Sequence, residues 1–137
     1  MHYVPYIAIL AAYALIYIPR IAVVGRAMAA QPGGYNNADP RAQQATLEGA
    51  PRRALAAHQN AIEAFGPFGV AVLAAMQRVS EPRVTLVAVV CIAFIAVRTL
   101  YVWAYIEDKP NLRSSMWSIG VAATGALMVF AVLGTKL

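Results

Sequence analysis

The chain has 137 residues, 61% of them hydrophobic and 12% charged, with a formal net charge of +5. An average soluble domain carries about 25% charged residues, and so small a domain has a large surface to cover, so the composition excludes an ordinary soluble fold and points to the membrane. The basic residues stand at the ends of apolar segments and not among aromatic clusters, which argues against nucleic acid as a partner.

One domain, residues 1–137, is expected from the length. The first predicted helix covers about 3–26 and carries Tyr13, Tyr17 and Arg20 on one face. It lacks a basic leading region, and its apolar run is too long and too interrupted for a cleaved signal peptide. A polar Gly/Pro/Asn-rich loop over about 28–50 follows; loops of that length are usually functional or disordered. Its "DPR" and "TLEGAPRR" stretches contain turn signals and suggest a short surface helix.

The second predicted helix, about 52–77, starts next to Pro51, where a missing N–H costs nothing. Arg52, Ala56, Gln59 and Glu63 fall on one helical stripe with Asn60 beside it. Glu63 lies about ten residues into the span, where a charge costs roughly 2.5–3.5 kcal/mol. Its short side chain cannot snorkel, so it needs a partner, and Arg98 is the best match in depth. "GPFG" follows, and Pro67 frees the carbonyl of Glu63 and is expected to bend the helix beside the charged cluster.

The third predicted helix, about 82–107, presents Arg98, Tyr101 and Tyr105 on one face. The polar faces of helices 1, 2 and 3 are expected to meet one another. The plainer reading is that these groups are interhelical glue, worth under about 1 kcal/mol per hydrogen bond. The fourth helix, about 114–135, opens on Arg113-Ser114-Ser115. Ser114 or Ser115 as its cap would leave free N–H groups beside a guanidinium, an anion site that also favours a thiolate. His58 and His2 are expected at opposite ends of the bundle, so no metal site is expected. Cys91 stands alone, which rules out an intrachain disulfide and chemistry that needs a cysteine pair.

Each span is long enough to cross a bilayer, and "VSEPR" and "EDKPNLR" are short connectors. The expectation is an all-α membrane protein, a left-handed antiparallel bundle of four transmembrane helices. Arg26, Arg41, Arg52, Arg53, Lys109 and Arg113 lie on one side, and Arg78, Arg83 and Lys136 on the other. The bias puts the long loop in the cytosol and both termini on the non-cytosolic side.

"RRALAAHQNAIEAFGPF" followed by "RTLYVWAYIEDKPNLRSSMW" resembles the MAPEG family, the membrane-associated proteins of eicosanoid and glutathione metabolism. "NADPR" in the loop is similar to its bacterial branch, which implies a bacterial inner membrane. The resemblance implies a homotrimer of four-helix subunits similar to microsomal glutathione transferases, with glutathione held between neighbouring subunits. By position it implies that Asn60, Glu63, Arg98 and Tyr105 hold the tripeptide, with Glu63 on its amine. It also implies that Arg113 and Ser114 stand beside the thiol, and that Arg26 is a basic residue at the end of helix 1. Gln59 and Ala56 depart from the pattern by replacing arginines, and Trp117 by replacing a tyrosine.

Two functions follow as expectations. One is a glutathione-dependent transferase or peroxidase acting on a lipophilic small molecule from the membrane lipid. The other is a non-catalytic relative that binds another anionic amphiphile, lipid or partner. A small multidrug transporter would carry its glutamate in helix 1, and this chain has none there.

Overall fold

The computed structural model describes residues 1–134. Lys136, and the end of the fourth helix expected at 135, lie outside the described residues. The chain is helical: α1 (Val4–Ala29), α2 (Pro40–Ala45), α3 (Gly49–Arg78), α4 (Glu81–Ile106) and α5 (Pro110–Leu133). α1, α4 and α5 are each long and apolar enough to cross a membrane. α3 is the longest at 30 residues, about 45 Å by helical rise. Its polar stripe lowers its mean hydropathy.

α3 occupies the centre, packed on α1, α4 and α5. Its inner face reads Ala54, Ala57, Ala61, Phe68, Ala71, Val72 and Ala75, all buried. Small residues at helical spacing let backbones approach closely, which is how helices gain contact where no hydrophobic drive separates them from lipid. Phe68 stacks on Phe94 with ring centroids 3.7 Å apart. Val87, Cys91 and Leu127 complete that layer. α5 buries only Gly120 and Leu127, leaving Ile119, Val121, Val129 and Val132 exposed. Such a surface would be a liability in water and suits a bilayer.

α1 contains a π-helical stretch, Arg20–Gly25, directly after Pro19. There the backbone N–H of Arg20 bonds to Tyr17, three residues back. The carbonyl of Ile16, which a regular α-helix would give to Arg20, accepts instead from His58 Nδ1 at 2.7 Å. That bond requires the ring proton on Nδ1.

The long loop is built and not slack. Asp39 caps α2 by accepting from the Ala42 N–H at 3.0 Å, with Pro40 at the first helical position. Gln43 donates to the carbonyls of Met28 and Gly34 and accepts from the Asn36 N–H. Leu47 is buried with Val24, Met28 and Ala54. At this end Arg53 Nε donates to the Ile106 carbonyl at 3.0 Å, and its guanidinium lies 3.7 Å from Asp108. At the opposite end His2 meets Glu81 at 2.9 Å, and Gly134 approaches the carbonyl of Arg78.

Candidate functional site

α3, α4 and α5 enclose a groove in two halves. The inner half is an apolar cavity of about 490 Å³ lined by Ala64, Pro67, Phe94, Val121, Thr124, Gly125 and Met128, with Asn60, Glu63, Arg98 and Gly120 at its head. The outer half is a polar cavity of about 510 Å³ lined by Tyr101, Tyr105, Arg113, Ser114 and Ser118. Asn60 and Trp117 line both, so the halves adjoin.

Arg98 is the buried charge of this site, 5% exposed. Its guanidinium donates to Asn60 Oδ1 at 2.9 Å and to the Asn60 carbonyl at 3.4 Å, and lies 4.3 Å from the centroid of Tyr101. Asn60 in turn donates to Glu63 at 3.3 Å. The expected Glu63–Arg98 ion pair is therefore corrected: among the described residues no carboxylate lies within salt-bridge distance of Arg98. Asn60, three residues before Glu63 on the same helix, takes the donors of Arg98, and Glu63 is left exposed in the groove. Gly120 packs against the stem of this arginine: a Cβ there would lie 3.4 Å from Arg98 Cδ, an ordinary van der Waals contact.

At the outer end the Arg113 guanidinium lies over the Tyr105 ring at 4.7 Å, and Tyr105 meets Tyr101 edge to face at 5.6 Å. The expected serine cap is also corrected. α5 begins a turn earlier, at Pro110, with Lys109 as its cap residue. Ser115 bonds back to the Asn111 carbonyl, and the Arg113 N–H is already bonded to Lys109. Free amides thus belong to the start of the first turn, and Ser114 contributes only its side chain to the groove. The signal for the true start was Pro110, a residue favoured at that position.

The polar faces of three helices do not all converge. Tyr13 and Tyr17 of α1 are exposed, with Tyr13 against Phe65 and Tyr17 near His58, and Arg20 reaches the Met28 sulfur at 3.9 Å. The third contributor to the groove is α5. Arg26 and Gln59 are exposed and lie outside both halves. Sequence reasoning missed Ser118, Thr124 and Gly125, small residues whose spacing on an apolar helix looks like packing. No group of three or more His, Cys, Asp or Glu side chains is gathered as a metal site among the described residues.

The model of the MAPEG family matches residues 4–133. This chain belongs to the MAPEG family. With three helices long and apolar enough to cross a membrane, this MAPEG protein is an integral membrane protein with a helical bundle fold. The family includes glutathione transferases and non-catalytic members. No curated protein and no solved structure matches the chain.

Proposed function

We propose that this MAPEG protein is a glutathione-dependent transferase or peroxidase that acts on lipophilic electrophiles taken from the membrane. The observation that carries the reading is the adjoining of a polar cavity holding Arg113 to an apolar one headed by Arg98 and Glu63, with Asn60 and Trp117 common to both. Glutathione carries two carboxylates, one ammonium and a thiol. The groove offers two guanidiniums and one carboxylate. Glu63 and Asn60 hold the amine end, Arg98 takes a carboxylate that supplies its missing counter-charge, and Tyr105 walls the site. Arg113 and Ser114 face the sulfur, where a guanidinium favours the thiolate.

In conjugation the sulfur–carbon bond forms as the bond to the leaving group breaks, and the electron pair departs with that group. With a hydroperoxide, two glutathiones are oxidised to the disulfide while the O–O bond is reduced to an alcohol and water. Arg26 and Gln59 join the site only across a subunit boundary, which the homotrimer of the family provides. In this reading α3 also crosses the bilayer, giving four spans in a single domain of a bacterial inner-membrane protein. Titration calorimetry of the detergent-solubilised protein tests the reading. Heat saturating at or below millimolar glutathione is expected, and its absence would sink the enzyme.

A second reading rests on the apolar half alone: a non-catalytic member that holds an anionic amphiphile. Mass spectrometry of lipid extracted from the purified protein would show a stoichiometric amphiphile in that case.

A further inference from the structure

We infer that Tyr13 and Tyr17 reach Glu63 of a second copy of this chain, so that the carboxylate of the groove takes its missing hydrogen-bond donor across a subunit boundary. The inference rests on the self-association in the reading above and not on glutathione.

Two unmatched sets of groups carry it. Glu63 is exposed in the groove, and among the described residues its one hydrogen bond comes from the Asn60 amide at 3.3 Å. An ionised carboxylate has about four acceptor positions to fill. Tyr13 and Tyr17 are 49% and 42% exposed, with ring centroids 5.2 Å apart. They stand about 13 and 20 Å along α1 from Val4 by helical rise, past the interfacial belt where membrane tyrosines meet water. A bond between the two hydroxyls would use one proton and leave the other without an acceptor.

The two sets match in depth. Tyr13 meets Phe65 and Tyr17 lies near His58, so α1 and α3 run antiparallel and Glu63 falls between the two tyrosines in height. At about 100° per residue, however, Glu63 projects roughly 140–160° away from His58 and Phe65. It lies on the far side of α3 from α1, where the tyrosines of its own chain cannot reach it. Copies inserted with the same topology are related by an axis along the membrane normal, and rotation about that axis leaves height unchanged. Donors and acceptor lie on different faces, the heterologous arrangement that closes into a ring. Glu63 keeps a second oxygen for the ammonium of a ligand.

The test uses the full chain in detergent on a Cys91→Ala background, with products read on a denaturing gel. The cross-linker is a bifunctional thiol reagent of about 8 Å, because a tyrosine hydroxyl bonded to a carboxylate holds the Cβ atoms too far apart for a disulfide. Glu63→Cys paired with Tyr13→Cys or Tyr17→Cys should give covalent dimers and trimers. Glu63→Cys with Ile7→Cys, equally exposed but about 9 Å further along α1, should not. Tyr13→Phe with Tyr17→Phe keeps both rings, and should raise the concentration at which the oligomer dissociates about tenfold, as loss of a hydrogen bond to a charged group requires. On a Glu63→Leu background the same pair should change nothing. A monomeric parent, no higher band from either tyrosine pairing, or an equal effect of the phenylalanines on both backgrounds would overturn the inference. Glutathione calorimetry on the parent reports separately on the enzyme, so each idea can fail without the other.

Discussion

Asn60 accepts from Arg98 at 2.9 Å while its own amide donates to Glu63 at 3.3 Å. One neutral side chain thus joins the buried cation to the exposed anion, and the two charges share no direct contact. The cost of removing each member follows from that order. Asn60→Leu should leave Arg98 without its best acceptor, a loss of about 1.5–3 kcal/mol for a hydrogen bond to a charged group. Glu63→Gln keeps an acceptor for Asn60 and should change thermal stability in detergent far less. Equal losses in the two variants would mean that Arg98 relies on Glu63 after all.

The Arg113 guanidinium carbon lies 4.7 Å from the centre of the Tyr105 ring, a contact in which a guanidinium and an ammonium are not equivalent. Arg113→Ala should weaken glutathione binding by roughly tenfold or more, as loss of a charge-assisted bond requires. Arg113→Lys should recover only part of it, and Tyr105→Phe should bind like the parent. The ultraviolet absorbance of the thiolate should also titrate at higher pH in Arg113→Ala, because a cation beside sulfur lowers the thiol pKa and its removal raises it. Calorimetry in which lysine restores full affinity would reduce Arg113 to a point charge.

Gln43 fastens the long loop by three hydrogen bonds, to Met28, Gly34 and Asn36. At about 1 kcal/mol each, Gln43→Ala should open the loop enough to speed limited proteolysis between residues 30 and 48 about tenfold or more, with little change in helix content. Cleavage at the parent's rate would show that Leu47 and the α2 cap hold the loop unaided.

The loop and the Arg53–Asp108 contact share one end of the bundle, while His2, Glu81 and Arg78 share the other. Positive charge dominates the loop end. A reporter inserted at 36–44 should therefore be cytosolic, and an N-terminal tag should be accessible only from the opposite side. Protease protection with the reverse pattern would invert the bundle.

The long helices were legible because apolar length and proline placement are local properties. Asp39-Pro40-Arg41 announced α2 in the same way. The start of α5 was misplaced because Arg113-Ser114-Ser115 satisfies the chemistry of a cap, while Pro110 satisfies its backbone geometry, and geometry won. Asn60, Glu63, Arg98, Tyr105, Arg113 and Ser114 line the two adjoining cavities, and polarity inside or at the ends of apolar spans was the feature that singled them out. Their pairing was not foretold, because helical spacing gives depth and face to within a residue or two, and Asn60 and Glu63 differ by less than one turn. His58 drew attention only as a metal ligand. Its role at the Ile16 carbonyl depends on a backbone irregularity in another helix, which no spacing on its own helix reveals.

That irregularity carries a consequence for how the chain can change in length. The buried positions of α1 run Pro5, Ala8, Ala12, Ile16, Pro19, then Val24 and Met28. All steps are three or four except the step across Arg20–Gly25, which is five. The π-helical stretch is an extra residue absorbed by a wider turn, and everything after it keeps its face. Deleting one residue, Ile21 or Ala22, would let the helix close to regular 3.6-residue turns with Met28 still under the loop. Lineages related to this chain by a single-codon loss at that place would differ in length and yet fold alike, whereas the same loss one turn earlier or later would rotate half of the helix out of register.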